Sequence, residues 1–161
     1  MFTWIHLAFQ TGYLTKREIN IWNLRNILGS QAEIARKLDV SRQAIHKSLI
    51  IIDKKVEQAL NEAALTNNLD VRKLDVIHGV MYAYSPAYKI PVIVSFSKVN
   101  GLKVWYLYEG NCSTCNRNAD CLELLESEAN ERGIKIDVHN MSPSNISKNM
   151  FLEYFKEDSD E

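Results

Sequence analysis

The stretch Gln31-Ala-Glu-Ile-Ala-Arg-Lys-Leu-Asp-Val-Ser-Arg-Gln-Ala-Ile-His-Lys-Ser-Leu49 holds two helical patterns separated by a short break. Ile34, Ala35 and Leu38 form the apolar side of a short helix, Asp39-Val40-Ser41 interrupts it, and Ser41 is a natural N-cap for a helix that opens at Arg42. Upstream, Thr15-Lys16-Arg17-Glu18 and Ser30-Gln31-Ala32-Glu33 both read as capping boxes, in which a hydroxyl accepts from a backbone N–H three residues on and the glutamate reaches back. They predict two helix starts. Ile19, Trp22 and Ile27 give the first of these helices its apolar side, Leu14 is a staple before its cap, and Gly29 closes it. Downstream, Ile45, Leu49, Ile52, Val56, Leu60 and Ala63 continue at spacings of four and three. This heptad-like seam predicts one helix from Arg42 to about Leu65, roughly 36 Å long, whose far end pairs with a second copy of the chain. The alternative is that the seam packs on the chain's own C-terminal half.

The quoted stretch resembles the helix-turn-helix of transcription regulators. Ala35 supplies the small residue where two such helices cross, Val40 the apolar residue of the turn, and Ile45 and Leu49 the anchors of the second helix. Asp39 stands where that family most often has glycine, and aspartate tolerates the left-handed conformation better than most side chains. With the preceding Leu-Thr-Lys-Arg-Glu helix, residues 14 to 60 are similar to domains of the archaeal Tfx type, the LuxR type and sigma-factor region 4. The resemblance implies binding to double-stranded DNA. Ser41, Arg42, Gln43, His46 and Lys47 would face the major groove, Arg42 suited to guanine and Gln43 to adenine through paired hydrogen bonds. Lys47, Arg17 and Lys16 suit phosphates, which position a protein without reading sequence. The competing reading of the same spacing is a three-helix bundle that only packs.

In the C-terminal half, Asn67-Asn68 is a break, and Val76 to Tyr84, Ile90 to Phe96 and Leu102 to Tyr108 read as strands, the last two joined in a hairpin with Asn100-Gly101 at its turn. Val76 to Tyr84 also fits a helix continued from Asp70. Leu122, Leu125 and Ala129 mark a helix from about Asp120 to Gly133, followed by a short strand from Ile134 to Val138. A last amphipathic helix carries Ile146, Met150, Phe151, Tyr154 and Phe155. The predicted fold class is α+β: an N-terminal helix-turn-helix bundle with a long connecting and dimerisation helix over 1–66, a sensor domain with a small antiparallel sheet and helices over 67–156, and an acidic tail over 157–161.

Between the last strand and that helix lies Cys112-Ser-Thr-Cys115-Asn-Arg-Asn-Ala-Asp-Cys121, which holds all three cysteines of the chain. Three thiolates within ten residues can converge on one metal centre, and an adjoining helix start would favour a negative charge on Cys121. The C-x2-C-x5-C run resembles that of iron–sulfur regulators of the fumarate and nitrate reduction type and of the WhiB type, where a distant fourth cysteine completes a 4Fe–4S site. Here no fourth cysteine exists, so Asp120, Glu109, His139 and His78 are the candidates to complete the set. Zinc in a Cys3His site, with His139 as the histidine, is the nearest competitor, and a reversible Cys112–Cys115 thiol switch is the third reading. Trp4, Trp22 and Trp105 read as core, as do His6 and His78 in their apolar surroundings. Tyr82, Tyr84, Tyr88, Tyr106 and Tyr108 suit either strand propensity or the wall of a small-molecule cavity.

The 161 residues, 46% hydrophobic and 24% charged, exclude disordered, collagenous and low-complexity classes. The net charge of −1 conceals nine basic against six acidic residues over 1–66 and ten against fourteen over 67–161, which places the basic half where DNA would bind. No run approaches the ~18–20 apolar residues of a membrane span, and the N-terminus lacks the pattern of a signal peptide, so a cytoplasmic location is expected. Phosphate-binding glycine runs, nucleophile elbows and paired-histidine helices are missing, which argues against an enzyme; the enzyme class left standing is a thiol–disulfide oxidoreductase using Cys112 and Cys115. The reading is a homodimeric DNA-binding regulator that senses redox state or a gas through an iron–sulfur centre. The alternative is a helix-turn-helix regulator with structural zinc and a small-ligand or protein-interaction domain.

Overall fold

The computed structural model describes residues 13–156. Trp4, His6 and the acidic tail over 157–161 lie outside them. Three N-terminal helices form first: α1 (Lys16–Leu28), α2 (Gln31–Leu38) and α3 (Arg42–Thr66). At the start of α1 both halves of the capping box are made, with Glu18 N–H donating to Thr15 Oγ1 at 3.2 Å and Thr15 N–H to Glu18 Oε2 at 2.8 Å. Gly29 ends the helix in the left-handed region at φ 69°. Ser30 behaves differently: its side chain makes no capping bond, so only the backbone geometry of the second predicted box is realised. Asp39 adopts φ 53°, the left-handed turn conformation expected of it, and Ser41 Oγ caps α3 by accepting from Ala44 N–H at 3.1 Å.

The remainder is a four-stranded antiparallel meander, β1 (Asp70–Asp75), β2 (Val80–Ser85), β3 (Ile90–Ser97) and β4 (Gly101–Tyr106), in the order β1-β2-β3-β4. Two helices follow, α4 (Asn118–Arg132) and α5 (Pro143–Leu152). The chain is α+β, as the sequence predicts. The strand expected over 76–84 is shorter, starting only at Val80, since residues 76–79 turn between β1 and β2 and Gly79 leaves the turn at φ 65°. Residues 134–138, expected as a strand, are irregular: their alternating Ile134, Ile136 and Val138 pack on the α4–α5 core with no strand beside them. The β3–β4 hairpin forms as predicted, with 98–100 as its loop and Gly101 at φ 68° pairing with Ser97, the geometry of a turn followed by a bulge residue. Tyr154 and Phe155 lie on a 3₁₀ turn beyond the end of α5.

Alternation along the strands sends side chains to two separate cores. Met81, Ala83, Val92, Val94 and Phe96 face the N-terminal helices, where they meet Leu14, Ile21, Trp22, Ile45, Leu49, Ile52, Val56 and Leu60. Val80, Ile93 and Trp105 face the opposite way, onto Leu125, Ala129, Ile146, Met150 and Phe151. The sheet is thus covered by helices on both faces. This settles where the α3 seam goes: Ile45, Leu49, Ile52, Val56 and Leu60 are buried against the chain's own sheet and helices. The dimer seam predicted from that spacing is therefore already occupied, and the core is continuous across the expected 66/67 boundary. Ile27, expected inside, is 68% exposed; Ile21, Trp22 and Leu24 carry the buried side of α1 instead. Among the described residues no helix is long and apolar enough to cross a membrane.

Polar ties fix α1 and α3 to one another. Arg25 Nη1 on α1 donates to Asp53 Oδ1 on α3 at 2.7 Å, and Lys55 Nζ donates to both Glu18 oxygens at 2.8 and 2.9 Å. On the other side of the sheet, two serines of β3 point at α4, Ser95 Oγ–H donating to Glu128 Oε1 at 2.8 Å and Ser97 Oγ–H to Glu131 Oε2 at 2.6 Å. Trp105 Nε1–H completes the buried set by donating to Ser95 Oγ at 2.9 Å.

Candidate nucleic-acid interface and cysteine loop

The first two turns of α3 separate sharply by side. Ile45 and Leu49 are buried on the inner side, whereas Arg42, Gln43, His46 and Lys47 are exposed on the outer one. The spacing i, i+4 sets Arg42 beside His46 and Gln43 beside Lys47 on neighbouring rows of the helix. Ser41 is also exposed, but its oxygen already serves as the cap of α3, which leaves its O–H as the group able to donate outward. Lys16 and Arg17 sit exposed on the first turn of α1. The sequence reading passed over Arg36 and Lys37, exposed in the last turn of α2, whose basic pair just before the turn was the available signal. His46 has a second setting: it lines a cleft with Ile50, Asp53 and Ile77 where α3 approaches the β1–β2 turn.

The cysteine loop lies after β4. Cys112 to Thr114 form a 3₁₀ turn closed by Cys115 N–H donating to Cys112 O at 3.3 Å, and Asn118 Nδ2 donates to the same carbonyl at 2.7 Å, tying the turn to the start of α4. Cys115 is exposed, while Cys112 and Cys121 are half-buried, and all three are free thiols. The expected stabilisation of a Cys121 thiolate by the helix start is not realised. Burial pushes its pKa up, the neighbouring Cys115, Cys112 and Asp120 add to the rise, and Arg117 only partly offsets them. The backbone explains this, because Cys121 N–H already donates to Arg117 O inside the helical ladder at 3.0 Å and offers nothing to the sulfur.

The candidate fourth ligands are scattered. Asp120 is exposed in the first turn of α4, Glu109 is exposed on the segment leaving β4, and His139 is exposed in the turn after α4. His78 is at the other end of α4, where its carbonyl accepts from Arg132 Nη1 at 2.5 Å; Arg132 follows Cys121 by eleven residues, or roughly 16 Å of helix. The His78 ring is pinned by Asp75, Oδ2 to Nδ1 at 2.7 Å, and leans on Tyr154 with centroids 4.8 Å apart. Among the described residues no three histidine, cysteine, aspartate or glutamate side chains gather into a group able to hold a metal ion. The thiols are neighbours in charge, but this conformation does not assemble them as a ligand set. Tyr88, in the β2–β3 turn, and Tyr106, at the end of β4, meet edge to face at 5.3 Å and are exposed, as is Tyr108, so these three do not enclose a cavity.

Comparison with family models, with curated proteins and with solved structures returned no match for this chain.

Proposed function

We propose that this chain is a DNA-binding transcriptional regulator, not an enzyme, that acts in the cytoplasm and whose cysteine loop carries a redox response. The observation behind the DNA reading is the outer side of α3: a capped helix start, rigidly anchored by Ile45 and Leu49, presents Arg42, Gln43, His46 and Lys47 to solvent. A helix so presented fits the major groove, with Arg42 and Gln43 placed to read base edges and Lys47, Lys16 and Arg17 to meet phosphates. Two copies on a two-fold DNA site belong to this reading, paired through a surface other than the α3 seam.

The test is a binding selection from random duplexes followed by fluorescence anisotropy on the enriched sequence. Arg42→Ala and Gln43→Ala are each expected to weaken specific binding by about 1–3 kcal/mol and to relax preference at single base positions, whereas Lys47→Ala should weaken all sequences alike and lower the salt slope by about one. Selection of no sequence, together with no salt-dependent affinity for any duplex, would sink the DNA reading.

For the redox response, an iron–sulfur cluster on Cys112, Cys115 and Cys121 requires the loop to close beyond the arrangement described. Zinc on the same thiols makes the same demand. A second form, the dithiol switch, is favoured by the 3₁₀ turn, because residues three apart in such a turn have Cα atoms within about 7 Å, which overlaps the span of a disulfide. Joining the Cys112 and Cys115 sulfurs passes two electrons and the two thiol protons to a disulfide oxidant, such as oxidised glutathione, which leaves as two thiols. The forms separate on protein purified without oxygen. Broad absorbance near ~400 nm with matching iron and sulfide would establish the cluster. A colourless, metal-free protein that loses about 2 Da on oxidation, but not as Cys115→Ser, would establish the dithiol. One zinc per chain would assign the thiols a structural role.

A further inference from the structure

A cleft of about 610 Å³ opens where the end of α1, the β1–β2 turn and the end of α4 meet, within the size range of sites for small organic molecules. Six of its lining residues decide its chemistry: Arg25 and Asn26 from α1, Ile77 and His78 from the turn, Arg132 from α4, and Tyr154. None of them belongs to the DNA-facing side of α3 or to the cysteine loop.

The walls are flat and partly apolar. The imidazole of His78 and the ring of Tyr154 lie 4.8 Å apart at 31°, the Arg132 guanidinium sits 5.6 Å from the Tyr154 centroid, and Ile77 is 54% exposed beside them. Asp75 holds the His78 ring by Nδ1, so the orientation of this stacked surface is set before any ligand arrives.

Two guanidiniums, those of Arg25 and Arg132, lead the polar lining of the cleft. Arg132 is held by two neutral acceptors, His78 O at 2.5 Å and Phe96 O at 3.2 Å, and by the buried carboxylate of Glu128 at 3.4 Å. Arg25 gives Nη1 to Asp53 and Nη2 to Ile77 O, while its buried Nε–H has no acceptor among the described residues. The rim carboxylate, Glu153, is met by Lys156 at 3.5 Å. Asn26 adds an exposed amide.

We infer that this cleft binds a small organic anion, a carboxylate borne on a flat ring, with the ring against Tyr154, His78 and Ile77 and the carboxylate toward Arg132, Arg25 and Asn26. The inference does not need the DNA reading; on that reading such a ligand would be an effector, since Arg25 ties the cleft to Asp53 on α3.

Titrating the ¹⁵N-labelled full chain with 1-naphthoate, and in parallel with its uncharged methyl ester, tests it. The expected result is saturable shifts of the Asn26, Gly29, Ile77 and His78 amides and of Arg132 Nε–H, with the ester at least about tenfold weaker. Ile77→Glu, a substitution at an exposed position that sets a carboxylate against the ligand, should weaken binding by about tenfold with an unchanged melting curve. Asn26→Asp should weaken it in the same direction. Shifts that do not saturate, that map elsewhere, that are equal for acid and ester, or that persist in both variants would overturn the inference.

Discussion

Replacing Gly79 by alanine is expected to lower stability by about 2–4 kcal/mol, a larger loss than most single exchanges produce. Two effects add. Gly79 sits at φ 65°, where a side chain costs about 1–2 kcal/mol, and a Cβ there would stand 3.1 Å from Trp22 Cζ2 and 3.2 Å from both Cβ and the carbonyl oxygen of Phe96. The carbonyl cannot move freely, because Phe96 N–H also donates to Gly79 O at 2.8 Å and holds the two backbones together. Gly29 is the control: its φ is 69° but nothing lies within 4 Å of its virtual Cβ, so Gly29→Ala should show the conformational part alone, about 1–2 kcal/mol. Thermal melting of both variants measures the difference, and equal losses would eliminate the crowding of Trp22 and Phe96 as a cause.

Arg132→Met is expected to cost about 3–5 kcal/mol at neutral pH, because it strips the partner from a fully buried Glu128. The loss should depend on pH with a definite sign. Burial raises the pKa of Glu128, an effect that Arg132 and the Ser95 bond only partly oppose. Between the ordinary glutamate pKa of about 4.3 and its raised value, the folded chain holds the proton more tightly than the unfolded one, so this group's contribution to stability falls as pH rises. Without Arg132 the folded pKa climbs further and that window extends upward. Denaturant unfolding of wild type and variant should therefore show a small deficit near pH ~4 that widens toward neutrality. Adding Glu128→Gln to Arg132→Met should remove most of the widening. The pH-independent remainder reports the lost bonds to the His78 and Phe96 carbonyls and the lost stacking of the guanidinium on Phe151 and Tyr154. A deficit of one size at every pH would mean that Glu128 is not what Arg132 serves.

The helices were legible because their ends carry chemistry: Thr15, Gly29, Asp39 and Ser41 each do in the structure what their side chain or backbone freedom suggests. β1 was illegible for the opposite reason. It is an edge strand, its Asp70-Val-Arg-Lys-Leu-Asp75 residues are mostly exposed, and it shows no apolar alternation to read. Ile134, Ile136 and Val138 misled because alternation marks a buried side without saying that a backbone partner exists. The α3 seam has the same ambiguity one level up, since spacing reports that a surface is covered but not whether a second copy or the chain's own sheet covers it. The cysteines were legible as a group, but the rise in the Cys121 pKa depends on burial, which spacing does not reveal. The cleft could not be read at all: Arg25, Ile77, Arg132 and Tyr154 come from distant segments that only the packing of two helical layers on one sheet brings together.

The helix that carries Arg42 and Gln43 is also the helix that lies on the sheet, 25 residues without a break. It is a single rod of about 37 Å, and a rod has no joint at which to absorb a disturbance. If its C-terminal end is held and it tilts by about 10°, its other end sweeps roughly 6 Å, close to two steps of the 3.4 Å rise of a DNA strand. On the DNA-binding proposal, a slight repacking beneath Ile52, Val56 and Leu60 would then be read at the groove as a change of register, with leverage taking the place of a hinge.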